Sequence, residues 1–552
     1  MLFPQLQNEG DPTEVRTIEF AGYDTRNKID DGSMRQMRNM STDEYPCLAP
    51  RKKRGTYPGT NNYTNPRVIF QRQEKLAVIT DNQFYYDGVL RPQVELTSGV
   101  ENRRMEAINS KIVIFPDKKW YDIETTESGD LEAECSLTTV AVHKNEVTYE
   151  AEVTLTLGEN TSPLTQFAKG DAISFSGLTT MGADGYDNNV ENAVIENIDY
   201  ENNKIWLAEG WIHYPTEDAA DWTESGTFTI TRKVPDLEFI LEYNNRLYGT
   251  MGNTIYASKL GDPTNWYYYS AGTADASYAV AVGSDGDFTG IAPLPNQIAF
   301  FKEHCIHKLY GYKPSNYQLI TTENVLGLEK GSDKSIQLVN GTVFYKSREG
   351  VMLYTGDSPV LISPQFGNDR YYDAVAGTDT LKYYISMKKK GDDTQHFFVY
   401  DIAKGLWSEE DDTDAQCFTF IDNSLLYIDN KTQKIKEVVG IHKLEDDIDW
   451  YARFGDFDEY GLYRRAQFKE NKRIYSKMQM RISMAEHSRV QVWISVDGGA
   501  WESVANVDTL ERRVVELPII PRRCDSFGIL VTGRGDVRID SLTRTVREGT
   551  AR

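Results

Sequence analysis

One unit recurs along this chain: a turn residue, a short alternating apolar strand, a polar turn, and a second strand that ends in an aromatic. Each copy reads as a β-hairpin. Residues 75–86 and 109–121 form the first two, with Asp81-Asn82 and Pro116-Asp117 at their turns. Later copies are 245–256, 296–310 and 340–354, with a looser one at 423–427. The closing tyrosines, Tyr86, Tyr121, Tyr256, Tyr310, Tyr354 and Tyr427, stand 35, 135, 54, 44 and 73 residues apart. Apart from the 135-residue gap, these spacings bracket the roughly 40–50 residues of a four-stranded propeller blade. Such a hairpin cannot bury its apolar face alone, so neighbouring copies must stack, and a ring of about five or six blades satisfies that need. The plainer alternative is an all-β chain in which similar turns recur without forming a ring.

The long gap has a strand pattern of its own, in 147–157, 171–176, 193–200 and 204–207. Glu201-Asn202-Asn203 supplies residues that tolerate the positive φ of a tight turn. This segment reads as a small inserted β-barrel, and 182–189 as a polar loop that either reaches a partner or is a solvated connection. From about Asp446, basic and β-branched residues replace the Tyr-rich hairpins. Five period-two segments there (477–483, 490–495, 513–517, 527–532 and 537–540) suffice for a β-sandwich. Near the N-terminus, Pro4, Pro12, Pro46, Pro50, Pro58 and Pro66 exclude a long helix or a regular central strand. The expected class is therefore all-β: an extended arm (1–60), a propeller-like core in two parts (61–127 and 236–445), an inserted barrel (128–235) and a C-terminal β-sandwich (446–552).

Asp and Glu number 83 against 60 Lys and Arg, and a net charge of −23 rules out chain-wide attraction to nucleic-acid phosphate or an anionic bilayer. No run approaches eighteen apolar residues and the start lacks a signal-peptide pattern, so neither membrane insertion nor standard export is expected. Five scattered cysteines fit reduced thiols made in a cytosol. His304, Cys305 and His307 are the nearest thing to a metal cluster, but on a strand the two histidines point to opposite faces. Asp285 and Asp287 have the spacing of a calcium loop without its downstream Glu, and read as an acidic turn. The stretch 495–501 resembles the Asp-box hairpin of sialidase propellers, with Trp501 one residue early and a single copy present. Phosphate-loop and nucleophile-elbow signatures are missing. The expectation is a non-enzyme with no catalytic residues, cofactor or metal. Arg51, Lys52, Lys53 and Arg54 form a basic run inside this acidic chain, either a solvated face or a contact to DNA or an acidic neighbouring subunit.

Three stretches together resemble one family. The run 32–54 carries Met37-Arg38-Asn39, an acidic pair, Tyr45-Pro46 and Pro50-Arg51-Lys52, and is similar to the opening of tail nozzle and packaged-DNA stabilisation proteins of short-tailed bacteriophages. Gly261-Asp262-Pro263 followed by Trp266 resembles a step in their propellers, and 520–544 resembles their C-terminal domain. The resemblance implies a virion protein of the neck or tail, assembled in the host cytoplasm. It would form a cyclic homo-oligomer, a hexamer, beside adaptor and tail proteins, and the genome would pass through the ring. Acidic walls would let a duplex slide rather than grip it. A carbohydrate-binding or glycan-cleaving tail spike or receptor-binding protein is the alternative expectation.

Overall fold

A computed structural model describes residues 11–145, 147–159, 163–269, 273–457, 472–508 and 513–548, which form 47 strands and five 3-10 turns. The first ten residues of the expected arm lie outside the described residues. Seven four-stranded antiparallel sheets recur along the chain, a β-propeller-like core, together with one closed barrel and two larger sheets. The chain divides into two compact units, 1–74 with 328–552, and 75–327.

In unit 75–327, the hairpin Lys75–Ile79 and Phe84–Tyr86 begins the series. The next sheet runs Arg104–Ile108, Lys111–Phe115, Lys119–Asp122 and Ser128–Asp130. Two more follow the barrel, Phe239–Tyr243 to Tyr278–Ala281 and Gly290–Leu294 to Gln318–Glu323. Each sheet meanders, every strand pairing with its sequence neighbour. The asparagines that open the hairpins explain the tight turns. Asn109 and Asn245 sit at φ 53° and 59°, the left-handed region that Asn tolerates best after Gly. The closing tyrosines Tyr86 and Tyr121 are buried, so the aromatic that punctuates the repeat is a packing residue.

The insertion is a closed six-stranded barrel in the order Ala133–Lys144, Ala151–Leu157, Lys204–Leu207, Ala193–Asp199, Ala172–Ser176 and Asp221–Arg232. Along the first strand, Ala133, Cys135, Leu137, Val140 and Val142 point inward while Glu134, Ser136 and Thr138 face out, the period-two pattern of a strand with one solvated side. A bulge after Leu137 bends that strand and helps it close the barrel. The turn between Ala193–Asp199 and Lys204–Leu207 places Asn203 at φ 52°. Closure leaves no unpaired edge, so the insertion carries its own core of Leu, Ile, Val and Phe side chains.

In unit 1–74 with 328–552, three sheets continue the series: Gln337–Val339 to Val360–Leu361, Tyr371–Thr378 to Leu406–Asp411, and Ala415–Ile421, Ser424–Asp429 and Lys434–Glu437. The last is completed by Gly55–Thr56 from the N-terminal segment, antiparallel to Lys434–Glu437. A five-stranded and a six-stranded sheet then pack face to face as a β-sandwich, with Met478, Met480, Ile482 and Leu542 of one against Met34, Val492, Ile529 and Val531 of the other.

Two expectations change. The count of blade-like sheets is seven rather than five or six, because Lys382–Lys389 with Gln395–Asp401 is also a hairpin. Its strands are longer than those of the other copies, and the closing Tyr400 is followed by Asp401 still in the strand. The N-terminal segment is also not a separate arm. Thr13–Thr17 pairs with Val537–Glu548, Ser33–Arg38 pairs with Asp449–Phe454, and Gly55–Thr56 closes the last sheet. Prolines exclude long regular strands, but strands of two to six residues fit between them.

Candidate functional site

The basic run is the sharpest site expectation, and the structure divides it. Arg51 and Arg54 are buried, Lys53 is half-buried and Lys52 is exposed. Arg54 donates from Nη2 to Glu410 Oε2 at 3.0 Å and to Asp411 Oδ2 at 2.9 Å, and its guanidinium lies 4.7 Å from the Phe397 ring centroid. Arg51 reaches Asp411 at 3.2 Å and Glu445 at 2.5 Å, and Lys53 reaches Asp447 at 2.6 Å. The acidic partner of the run is therefore the chain itself, some 360 to 390 residues later in sequence. Lys52 remains the member of the run that faces solvent.

Electrostatics follow from that burial. Desolvation alone would raise Asp411, yet Arg54 and Arg51 outweigh it and hold its carboxyl well below the usual range. Glu410 goes the other way, because burial exceeds the attraction of the same two arginines and raises its pKa. Next along, the Glu437 carboxylate accepts from the amides of Ile441 and His442 and pairs with His442 Nδ1 at 2.6 Å. A Cβ at position 55 would come within 2.2 Å of Glu437 Oε2, so glycine is what lets the closing strand approach. The cluster fastens the N-terminal segment to the last sheet.

The histidine–cysteine motif is also absorbed by packing. His304 lies in the turn before Cys305–Tyr310, while His307 is buried, with Nδ1 2.8 Å from Thr321 Oγ1 and Nε2 2.8 Å from Ser284 Oγ. Burial, then the Lys302 charge, pushes His307 down to about 4, so it is neutral at pH 7. The ammonium of buried Lys302 takes the oxygens of Asn253, Ser284 and Gly286 at 2.6–2.8 Å. Carbonyls of the acidic turn therefore already surround a cation, the lysine, while Asp285 and Asp287 face solvent. Among the described residues, no three His, Cys, Asp or Glu side chains are placed to hold a metal. The Asp-box-like stretch is a structural hairpin, with Ser495 Oγ donating to Gly499 O and Asp497 accepting from the amides of Asp525 and Ser526.

The polar loop 182–189 is folded back rather than extended. Asn188, fully buried, donates to the carbonyls of Thr180 and His213, and Tyr186 stacks on His213 with centroids 5.0 Å apart. A feature that local sequence reading misses is a polar cleft of about 750 Å³ at the root of the barrel. Lys118, Asp130, Glu132, Glu134, Lys233 and Asp236 contribute to its walls. All but Lys118, which lies in the turn before Lys119–Asp122, come from the two segments that enter and leave the insertion, and the paired strands bring these together.

No family model matches the chain. No curated protein matches it either. Among solved structures it is similar to PorZ, a surface component of the type-IX secretion system of Porphyromonas gingivalis, at 10% identity over 81% of this chain and 70% of that one, with a TM-score of 0.27. Dipeptidyl peptidase 4 of the same organism matches at 10% identity over 77% and 58%, with a TM-score of 0.28. AztD of Citrobacter koseri matches at 11% identity over 57% and 97%, with a TM-score of 0.22. Scores this low carry no argument about what this chain does, and the fold assignment rests on its own strand pairing.

Proposed function

We propose that this chain is a non-enzymatic virion protein, a nozzle or hub subunit that forms a ring in the neck or tail of a short-tailed bacteriophage and continues its DNA channel. The observation that carries the reading is the structural use of residues 32–54, the N-terminal one of the three stretches that resemble the nozzle family. Met34, Met37 and Met40 are core side chains, and Arg51 and Arg54 sit in the buried ion-pair cluster. The motif thus has an architectural role, fastening the N-terminal segment between sandwich and last sheet, which suits a subunit that must stay folded under load.

Charge supports the same role. The barrel strands and their loops, 133–232, hold 17 acidic against four basic residues, a surface that repels phosphate. His307 Nε2 lies 3.7 Å from the buried Cys305 Sγ, but both ring nitrogens also face hydroxyls, of Ser284 and Thr321 at 2.8 Å, and this reading takes the group as packed interior. In this reading six copies close a ring through heterologous contacts, assemble in the host cytoplasm and dock on adaptor and tail proteins. Native mass spectrometry of the chain purified with its adaptor tests it. A closed oligomer of six copies is expected, and a monomer at every concentration would contradict it.

A further inference from the structure

The outer face of the six-stranded sheet in the sandwich is cationic and aromatic, against the acidic balance of the chain. Its inner face is core, with Ala452, Phe454, Val490, Val492, Ile529 and Val531 buried, so alternation turns the residues between them outward. On the central strands Asp449–Phe454, Phe527–Arg534 and Arg489–Val496 these include Arg453, Arg489 and Arg534, with Tyr451, Leu530 and Trp493 half-buried beside them. Asp449 is the single acidic residue of the three strands. None of the three arginines makes a side-chain hydrogen bond or ion pair among the described residues, and Arg453 Nε is buried without a partner. Arg489 and Arg534 stand directly opposite each other across the strand pair, like charges that repel until an anion lies over them. Asp449 and Asp508 extend the same row on either side, but neither comes within ion-pair distance of them. Trp501 lies over this face too, its ring 5.5 Å from the Arg453 guanidinium and 3.3 Å from where a Cβ at Gly528 would stand. Trp, Tyr and Arg are the side chains that most often dominate the energetics of protein contacts. A recess of about 320 Å³ bounded by Arg38, Asp449, Tyr451, Arg489, Gln491 and Thr532 gives a partner's side chain a place to enter.

The end of the barrel far from its root has the opposite character. Loops 145–150, 177–192 and 208–220 meet there. The Lys144 amide donates to Ala220 O, the Ala183 amide to Tyr214 O, and Asn188 Nδ2 to His213 O. Together the three loops hold eight Asp and Glu and no Lys or Arg. Glu191, Glu209, Glu217 and Asp218 are exposed, and their side chains make no ion pair or hydrogen bond among the described residues. Val147, Tyr149, Met181 and Tyr186 are exposed on the same loops, with Tyr186 stacked on His213. Such a tip offers what an arginine-and-tryptophan face lacks, carboxylates for the guanidinium groups and rings for stacking.

We propose that the far end of the barrel of one copy docks on the outer sandwich face of the next copy, with Glu217 and Asp218 reaching Arg489 and Arg534. This rests on the ring reading and names the contact that would build the ring. Two different surfaces meet, so the contact is heterologous, the type that closes into rings. Arginines and rings also suit a single-stranded nucleic acid, but the net charge of −23 works against that occupant, whereas a second copy brings its own carboxylates.

Charge exchange in the full chain, read by sedimentation and native mass spectrometry, tests the contact. One variant carries Arg489→Glu with Arg534→Glu, a second Glu217→Lys with Asp218→Lys, and a third all four changes. The four side chains are exposed, so melting should match the wild type. Each reversed pair is expected to weaken assembly by about tenfold or more, and the combined chain to recover most of it. Wild-type assembly should also weaken as salt is raised. Assembly unchanged in both paired variants overturns this contact and leaves the ring standing. A combined chain that stays apart overturns the pairing of these two surfaces. A wild-type chain that is monomeric at every concentration overturns the ring reading and this contact with it. Single-stranded DNA bound by the wild type and lost in Arg489→Glu with Arg534→Glu, with assembly unaffected, would make the face a nucleic-acid site and equally overturn it.

Discussion

Replacing Arg54 by alanine should be among the most damaging single changes to the unit that contains it. The guanidinium is 4% exposed and lies against Glu410, 5% exposed, and Asp411. Removing it strands one of these carboxylates without its cation and leaves the other with Arg51 alone. Breaking a buried pair from one side costs about 3–5 kcal/mol, because the remaining charge stays desolvated. Stacking of Arg54 over Phe397 and Tyr427 adds about 1 kcal/mol to the loss. The residue also leads directly into Gly55–Thr56, so the strand that completes the last sheet should loosen with it. Denaturant titration followed by the tryptophans, with hydrogen exchange at 55–56 and 434–437, measures both effects. The expected result is a loss of about 4–6 kcal/mol with fast exchange at the closing strand, and partial recovery in Arg54→Ala with Glu410→Gln. A loss below about 1 kcal/mol, with exchange unchanged, would refute the claim that this cluster fastens the N-terminal segment.

Further changes probe the rest of the fold. His307, held near 4 against an ordinary 6.5, contributes about 3 kcal/mol that is fully present above pH 6.5 and lost as pH falls toward 4. Urea midpoints between pH 7.5 and 4.5 should therefore drop more steeply for the wild type than for His307→Gln, and parallel slopes would contradict this. Asp411, depressed by Arg54 and Arg51, contributes stability above its unfolded value of about 3.9 that is lost on further acidification, so Asp411→Asn should flatten the acid limb below about pH 4. Trp266→Ala removes a fully buried indole and should cost about 3–5 kcal/mol in the other unit, read by the melting temperature. Gly22→Ala would force a Cβ to 2.2 Å from Trp407 O at a φ of 79°, so poor soluble expression or a loss of at least about 2 kcal/mol is expected.

Most of the repeat was legible because its signals are local. A left-handed turn asks for Asn, and Asn109, Asn245, Asn340 and Asn423 all sit at φ between 50° and 59°. Alternating strands ask for period two, and the barrel strands show it plainly. What escaped is long-range. No periodicity shows that Thr13–Thr17 pairs with Val537–Glu548, or that Arg54 meets Glu410, because those pairings are made across hundreds of residues of chain. In sequence the basic run reads either as a solvated face or as a contact to an outside partner, since burial of an arginine is visible only with its own chain's carboxylates in place. The root cleft was hidden for the same reason, its walls coming from segments about a hundred residues apart that only the barrel closure joins.

The central claim is that this chain is a ring subunit on the axis of a phage tail. A cryo-electron-microscopy reconstruction of the virion that contains it tests that most directly. The expected density is a closed ring on the tail axis, each subunit showing blade-like sheets, the six-stranded barrel and the sandwich, around a lumen wide enough for duplex DNA. Density for the chain confined to off-axis fibres or spikes would contradict the account.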